Sequence, residues 1–221
     1  MGHGESLVEL SAAGVVLEGS LTIPPGAQGI VVFAHGSGSS RSSPRNRYVA
    51  GVLQKAGLGT LLFDLLTDKE EAVDSITREL RFNIPLLAGR VSGATEWLQC
   101  KPEAARLKLS YFGASTGAAA ALVAAAERAE NVAAVVSRGG RPDLAADHLG
   151  RVRAATLLIV GSYDGPVIEM NREALKLLAG EKELVIVPGA THLFEEPGKL
   201  EEVARLAADW FARHLGAPAA S

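Results

Sequence analysis

Aromatic residues are scarce, at 5% of 221 positions, and Cys100 is the only cysteine. Few aromatic faces leave little for unpaired bases to stack on, so no single-stranded nucleic-acid platform is expected. One cysteine excludes an intramolecular disulfide and fits a reducing, cytoplasmic setting. Charge of one sign is not in excess either, because 22 basic and 25 acidic side chains leave a formal charge of -3. Binding a polyanion by counterion release needs a basic surface, so no nucleic-acid partner is expected. Long apolar runs are also missing. The uncharged stretch Ala118 to Ala126 is far too short for the ~20 residues that cross a bilayer, so no membrane partner is expected. The start, MGHGESLVEL, lacks the basic and apolar regions of a secretory signal, although Gly2 and Ser6 match the short pattern for myristoylation. Cys/His clusters and H-E-x-x-H are absent, as is G-x-x-x-x-G-K-[ST]. Gly36-Ser37-Gly38 meets Arg41 where a dinucleotide fingerprint needs its third glycine. Neither a metal ion nor a cofactor is expected.

What remains has the makeup of a globular domain, with 48% hydrophobic and 21% charged residues. The length fits one domain over 1–221, able to bury roughly 70% of its unfolded surface without staples. Leu7 to Leu10 and Val15 to Ile23 read as an antiparallel opening pair, ended by Pro24-Pro25. A fully apolar run follows at Ile30–Ala34, and runs of the same mainly apolar character at Thr60–Phe63, Leu107–Phe112, Val132–Val136, Thr156–Val160 and Leu184–Val187. Such runs suit strands covered on both faces of a parallel sheet. Helices are expected near 46–57, 83–100, 116–129, 167–179 and 198–215, the last with Leu200, Val203, Leu206, Ala207, Trp210 and Phe211 on one face. Alternating strands and helices predict an α/β fold, a mainly parallel sheet between two helical layers. Chemistry in such folds gathers on loops beyond the C-terminal strand ends.

On those loops, Gly113-Ala-Ser115-Thr-Gly117 is a G-x-S-x-G turn between a strand and a small-residue helix. The turn lifts a serine hydroxyl above the sheet, and side chains two residues to either side would clash, hence the glycines. Serine needs a base and the base an orienting carboxylate. His192, after the last strand, is the one histidine well placed. His3 lies at the terminus, His148 and His214 read as solvated, and His35 as a loop-structuring residue. Asp164, after the strand Thr156–Val160, falls between serine and histidine in chain order, the order this architecture uses. It also suits a turn or helix cap. Glu195 and Glu196 are the other acids near His192 and read as a solvated pair. The oxyanion needs two amides. Thr116 supplies one, and Ser37, or else Gly36, the second.

Taken together, the chain resembles α/β-hydrolases of the dienelactone-hydrolase-like group over nearly its whole length. Phe33-Ala-His-Gly-Ser-Gly-Ser-Ser-Arg41, Ser137-Arg-Gly-Gly-Arg-Pro-Asp143 and Thr191-His-Leu-Phe-Glu-Glu-Pro197 carry the resemblance beside the elbow. It implies a Ser115, His192, Asp164 triad with an oxyanion hole near Ser37 and Thr116. Dienelactone hydrolases proper use cysteine where this chain has Ser115, a departure that makes dienelactone a family name here and a different ester the expected substrate. The expected activity is hydrolysis of small esters or lactones by a monomer or homodimer. Acyl transfer and a non-catalytic scaffold are the alternatives. Arg138 either meets a substrate carboxylate or pairs with Asp143 or an acid of segment 65–81. That segment is either a lid or a solvated crossover.

Overall fold

The computed structural model describes residues 4–216, so Gly2 of the lipidation pattern and His3 lie outside the described residues. β1 (Ser6–Ala12) and β2 (Val15–Thr22) pair antiparallel, with Ala12 opposite Val15. The two residues between them, Ala13 and Gly14, both have positive φ, the backbone of a tight hairpin turn matched to strand twist. Six further strands follow: β3 (Gly29–Ala34), β4 (Gly59–Phe63), β5 (Lys108–Ala114), β6 (Val132–Arg138), β7 (Ala155–Gly161) and β8 (Lys182–Val187). The sheet order is β1-β2-β4-β3-β5-β6-β7-β8, antiparallel up to the β2/β4 pair and parallel from β4 to β8. The expected class and all eight strands are therefore present.

The helices are α1 (Pro44–Lys55), α2 (Asp68–Thr77), α3 (Ile84–Gln99), α4 (Thr116–Glu127), the single turn α5 (Ala146–Leu149), α6 (Gly165–Leu177) and α7 (Lys199–Leu215). α1 and α7 pack together on one face of the sheet, α3 and α4 on the other. β3 is buried along its whole length, as a central parallel strand must be. Every residue of α4 from Thr116 to Ala126 is buried. Its alanines let a helix with no polar face lie close to the sheet, directly behind the turn that ends β5.

One open segment is filled in and one expectation changes. Segment 65–81 contains a regular helix, α2, whose first turn is closed by a capping box between Thr67 and Glu70. His214 is not solvated: its side chain is 15% exposed, and its ring lies 4.7 Å from that of Trp210. Four residues apart on α7, the two rings share its inward face. Desolvation, with Arg213 beside it, holds this imidazole below the usual histidine range despite Glu181.

Candidate active site

Ser115 stands between β5 and α4 with φ 50° and ψ -120°, a left-handed conformation that costs a non-glycine residue free energy. Its amide donates to the carbonyl of Arg138 at 3.2 Å, and its carbonyl accepts from the Arg141 amide at 3.1 Å. The flanking glycines are required by contact. A Cβ on Gly113 would lie 2.4 Å from Ala118 Cα, and one on Gly117 would lie 2.2 Å from the Ala34 carbonyl oxygen. No atoms fit at those distances, so the turn closes only with glycine on both sides.

Asp164 occupies the position before α6, yet its side chain caps no helix amide. Its Oδ2 instead receives a hydrogen bond from His192 Nδ1 at 2.6 Å. The imidazole lies against the backbone at Gly139, where an added Cβ would come within 3.3 Å of its Cε1 and Nδ1. Gly139 directly follows Arg138, whose carbonyl holds Ser115, so the serine and histidine loops meet across the end of β6. No hydrogen bond joins Ser115 Oγ to His192 among the described residues. Such bonds commonly tighten only when substrate is bound. The two other acids are occupied elsewhere. Glu195 pairs with Arg45 at 2.7 Å, and Glu196 accepts the Thr191 amide at 3.2 Å through each oxygen. The hydrogen bonds from Thr191 hold the Glu196 carboxyl below its ordinary range.

The loop after β3 faces the elbow from the other side. A Cβ on Gly36 would sit 3.1 Å from Ser115 Cβ, so this loop and the serine are in contact. His35 shapes it. The ring's Nδ1 is 3.0 Å from the Gly36 carbonyl oxygen, and its Nε2 accepts the Leu65 amide at 3.0 Å. A neutral imidazole protonated on Nδ1 satisfies both bonds, and burial pushes its pKa down. Ser37 Oγ lies 3.0 Å from Thr116 Oγ1, so the two oxyanion candidates are bonded through their side chains.

α2 walls this area. Buried Asp74 accepts the amides of Leu80 at 2.8 Å and Arg81 at 3.0 Å, and Arg81 Nε at 2.6 Å. Burial opposes ionisation of this carboxyl, but the hydrogen bonds and charge of Arg81 outweigh it and hold it low. At the other end of α2, Glu70 accepts Arg90 Nη2 at 2.7 Å. The segment is thus tethered at both ends. Between it and the loop after β3 lies a narrow, half-open cleft, lined in part by Ser37, Thr116, Leu66, Leu87 and Arg81. The pairing of Asp74 with Arg81 and of Glu70 with Arg90 escaped the sequence reading because nothing local marks charged residues whose partners arise only on folding.

Arg138 is buried, and neither expected acid reaches it. Asp143 is bound bidentately by Arg141 at 2.9 and 2.7 Å. Arg138 Nε and Nη1 are covered and meet no acceptor among the described residues. Burial, assisted by the nearby charge of Arg45, brings its pKa down to about 10, so it stays cationic at neutral pH. Cys100 ends α3, exposed and free. Among the described residues, no group of three or more His, Cys, Asp or Glu side chains is poised to hold a metal. No helix there is long and apolar enough to cross a membrane.

No protein-family model matches the chain. A dienelactone hydrolase of Anabaena variabilis is 64% identical, with a TM-score of 0.94 over 96% of this chain and 98% of that one. At 14% identity, Est1E of Butyrivibrio proteoclasticus shares the fold, with a TM-score of 0.80 over 95% of this chain and 99% of its own. A Pyrococcus furiosus esterase does so at 19% identity, with a TM-score of 0.77 over 97% and 92% of the two chains. Two curated Mycobacterium tuberculosis proteins, provisionally named phosphoribosyl transferases, are 59% identical over 214 residues, which is 97% of this chain and 47% of theirs. The chain therefore spans about half the length of the curated relatives it matches.

Proposed function

The chain belongs to the dienelactone-hydrolase-like family of α/β-hydrolases, and on that premise we propose that it is a serine carboxylesterase acting on small esters or lactones. The observation that carries this reading is the Asp164–His192 pair at 2.6 Å beside a serine held at φ 50°. Ser115 Oγ attacks the carbonyl carbon while His192 Nε2 takes its proton, and Asp164 stabilises the resulting imidazolium. The tetrahedral oxyanion accepts the amide of Thr116 and that of Ser37, with Gly36 as the alternative to Ser37. The proton passes to the leaving oxygen, the C–O bond breaks, and an acyl-Ser115 remains. Water, deprotonated by His192, then releases the acid. An alcohol or thiol in place of that water gives acyl transfer by the same residues. Side chains, amides and water account for every step, so the scheme calls for no cofactor.

Arg138 is the proposed contact for an anionic group on the substrate, supported by a buried guanidinium whose donors lack an acceptor. The transferase name of the mycobacterial relatives belongs to proteins about twice this length, and no feature of this chain favours it. The acid tests the triad best. Asp164→Asn should leave the thermal midpoint near that of the parent and lower kcat for p-nitrophenyl acetate at least roughly a hundredfold, because an amide cannot stabilise imidazolium. Parent-like kcat in that variant, with loss in Glu196→Gln, would move the acid to Glu196.

A further inference from the structure

An oxyanion hole built from Thr116 and Ser37 draws its two amides from different parts of the fold. One begins α4, behind the strained serine, and the other lies on the loop after β3. Their separation is set by tertiary structure alone, and stabilising the oxyanion demands that both donors be held in place before reaction. α4 is fixed by burial on every side. The loop is not, since Ser37 and Gly38 are exposed. Something must tie it down.

Two bonds do so. His35 fixes the Gly36 carbonyl at 3.0 Å. That carbonyl and the Ser37 amide belong to one planar peptide and point in opposite directions, so the ring sets the amide's aim. Aim alone leaves the distance to α4 free. The Ser37 Oγ to Thr116 Oγ1 contact, at 3.0 Å and 79 residues apart in sequence, closes that gap. Thr116 is suited to the task, being 2% exposed and β-branched, with few side-chain rotamers open to it.

We infer that the Ser37 and Thr116 hydroxyls form a strut that sets the spacing of the two oxyanion amides. It deepens the serine-hydrolase reading and rests on it. Both side chains are positioning residues in this role. They act through the amides, and each hydroxyl works only while the other is present. Removing either should cost the same, and removing both should cost no more.

The test is a double-mutant cycle on p-nitrophenyl acetate with Ser37→Ala, Thr116→Val and the double variant, together with Thr116→Ser. Each single variant should lower kcat roughly tenfold, less than the 10²–10³ seen when a donor itself is removed. KM should stay within about twofold, the double should match the worse single, and Thr116→Ser should stay near the parent. Unchanged kcat in Ser37→Ala, or losses that multiply in the double variant, would overturn the strut. Should Thr116→Val fail to fold, exposed Ser37→Ala and Thr116→Ser decide alone, on the same expectations. A fluorophosphonate should still label Ser115 in Ser37→Ala, more slowly than in the parent. No labelling of the parent itself would instead remove the serine-hydrolase reading, and the strut with it.

Discussion

At the scale of single residues, His35 and Arg138 stand out because each is buried at a cost. His35 is neutral in the fold, since its Nε2 accepts the Leu65 amide and a second proton would break that bond. Its folded pKa is lowered by desolvation from the ordinary ~6.5 that the unfolded chain restores. Below ~6.5 the unfolded state binds the proton and the native state resists it. The contribution of His35 is therefore fully present above that pH and is lost as pH falls toward the folded value. The thermal midpoint of the parent should drop between pH 7 and pH 5 more steeply than that of His35→Gln, compared by calorimetry. Equal slopes would show that His35 is not a source of acid sensitivity. Arg138 poses the opposite problem, a buried cation whose Nε and Nη1 meet no acceptor among the described residues. Such groups weaken a fold unless a ligand completes them. Arg138→Met should keep or raise the thermal midpoint, leave KM for p-nitrophenyl acetate unchanged and raise KM for a carboxylated ester about tenfold. Equal KM changes for both esters would end the anion-contact reading.

At the scale of elements, the β5–α4 unit sets the geometry. The turn brings α4 so close to β3 that a Cβ on Gly117 would lie 2.2 and 2.3 Å from the carbonyl oxygens of Ala34 and His35. Backbone on both sides cannot yield, so Gly117→Ala should cost about 3 kcal/mol or more. At about 2–4 °C per kcal/mol for a chain this long, the midpoint should fall by at least roughly 6 °C. A fall under 2 °C would mean the turn relaxes without difficulty. This unit was the most legible in sequence, because G-x-S-x-G, the apolar strand before it and the alanines after it are all local. The strand positions were legible for the same reason. The order β2-β4-β3-β5 was not, since it depends on which strands meet after crossovers. α2 falls in the segment that the sequence left open between a lid and a solvated crossover. Its tethering through Asp74 and Glu70 became visible with the tertiary partners Arg81 and Arg90. Ser37 and Thr116 could each be singled out by position, but their bond joins residues 79 apart and leaves no periodic trace.

At the scale of the whole molecule, one sheet brings the ends of four strands to a common edge. β3 presents the loop with Ser37, β5 presents Ser115, β7 presents Asp164, and β8 leads to His192. Between them, β6 links serine and histidine through the Arg138 carbonyl and Gly139. On the proposed reading, this edge makes Ser115 a nucleophile. The most direct measurement is the intact mass of the protein after exposure to a fluorophosphonate, followed by peptide mapping. One adduct per chain is expected, carried by Ser115, and none on folded Ser115→Ala. An unlabelled parent, or equal labelling of Ser115→Ala, would contradict that reading.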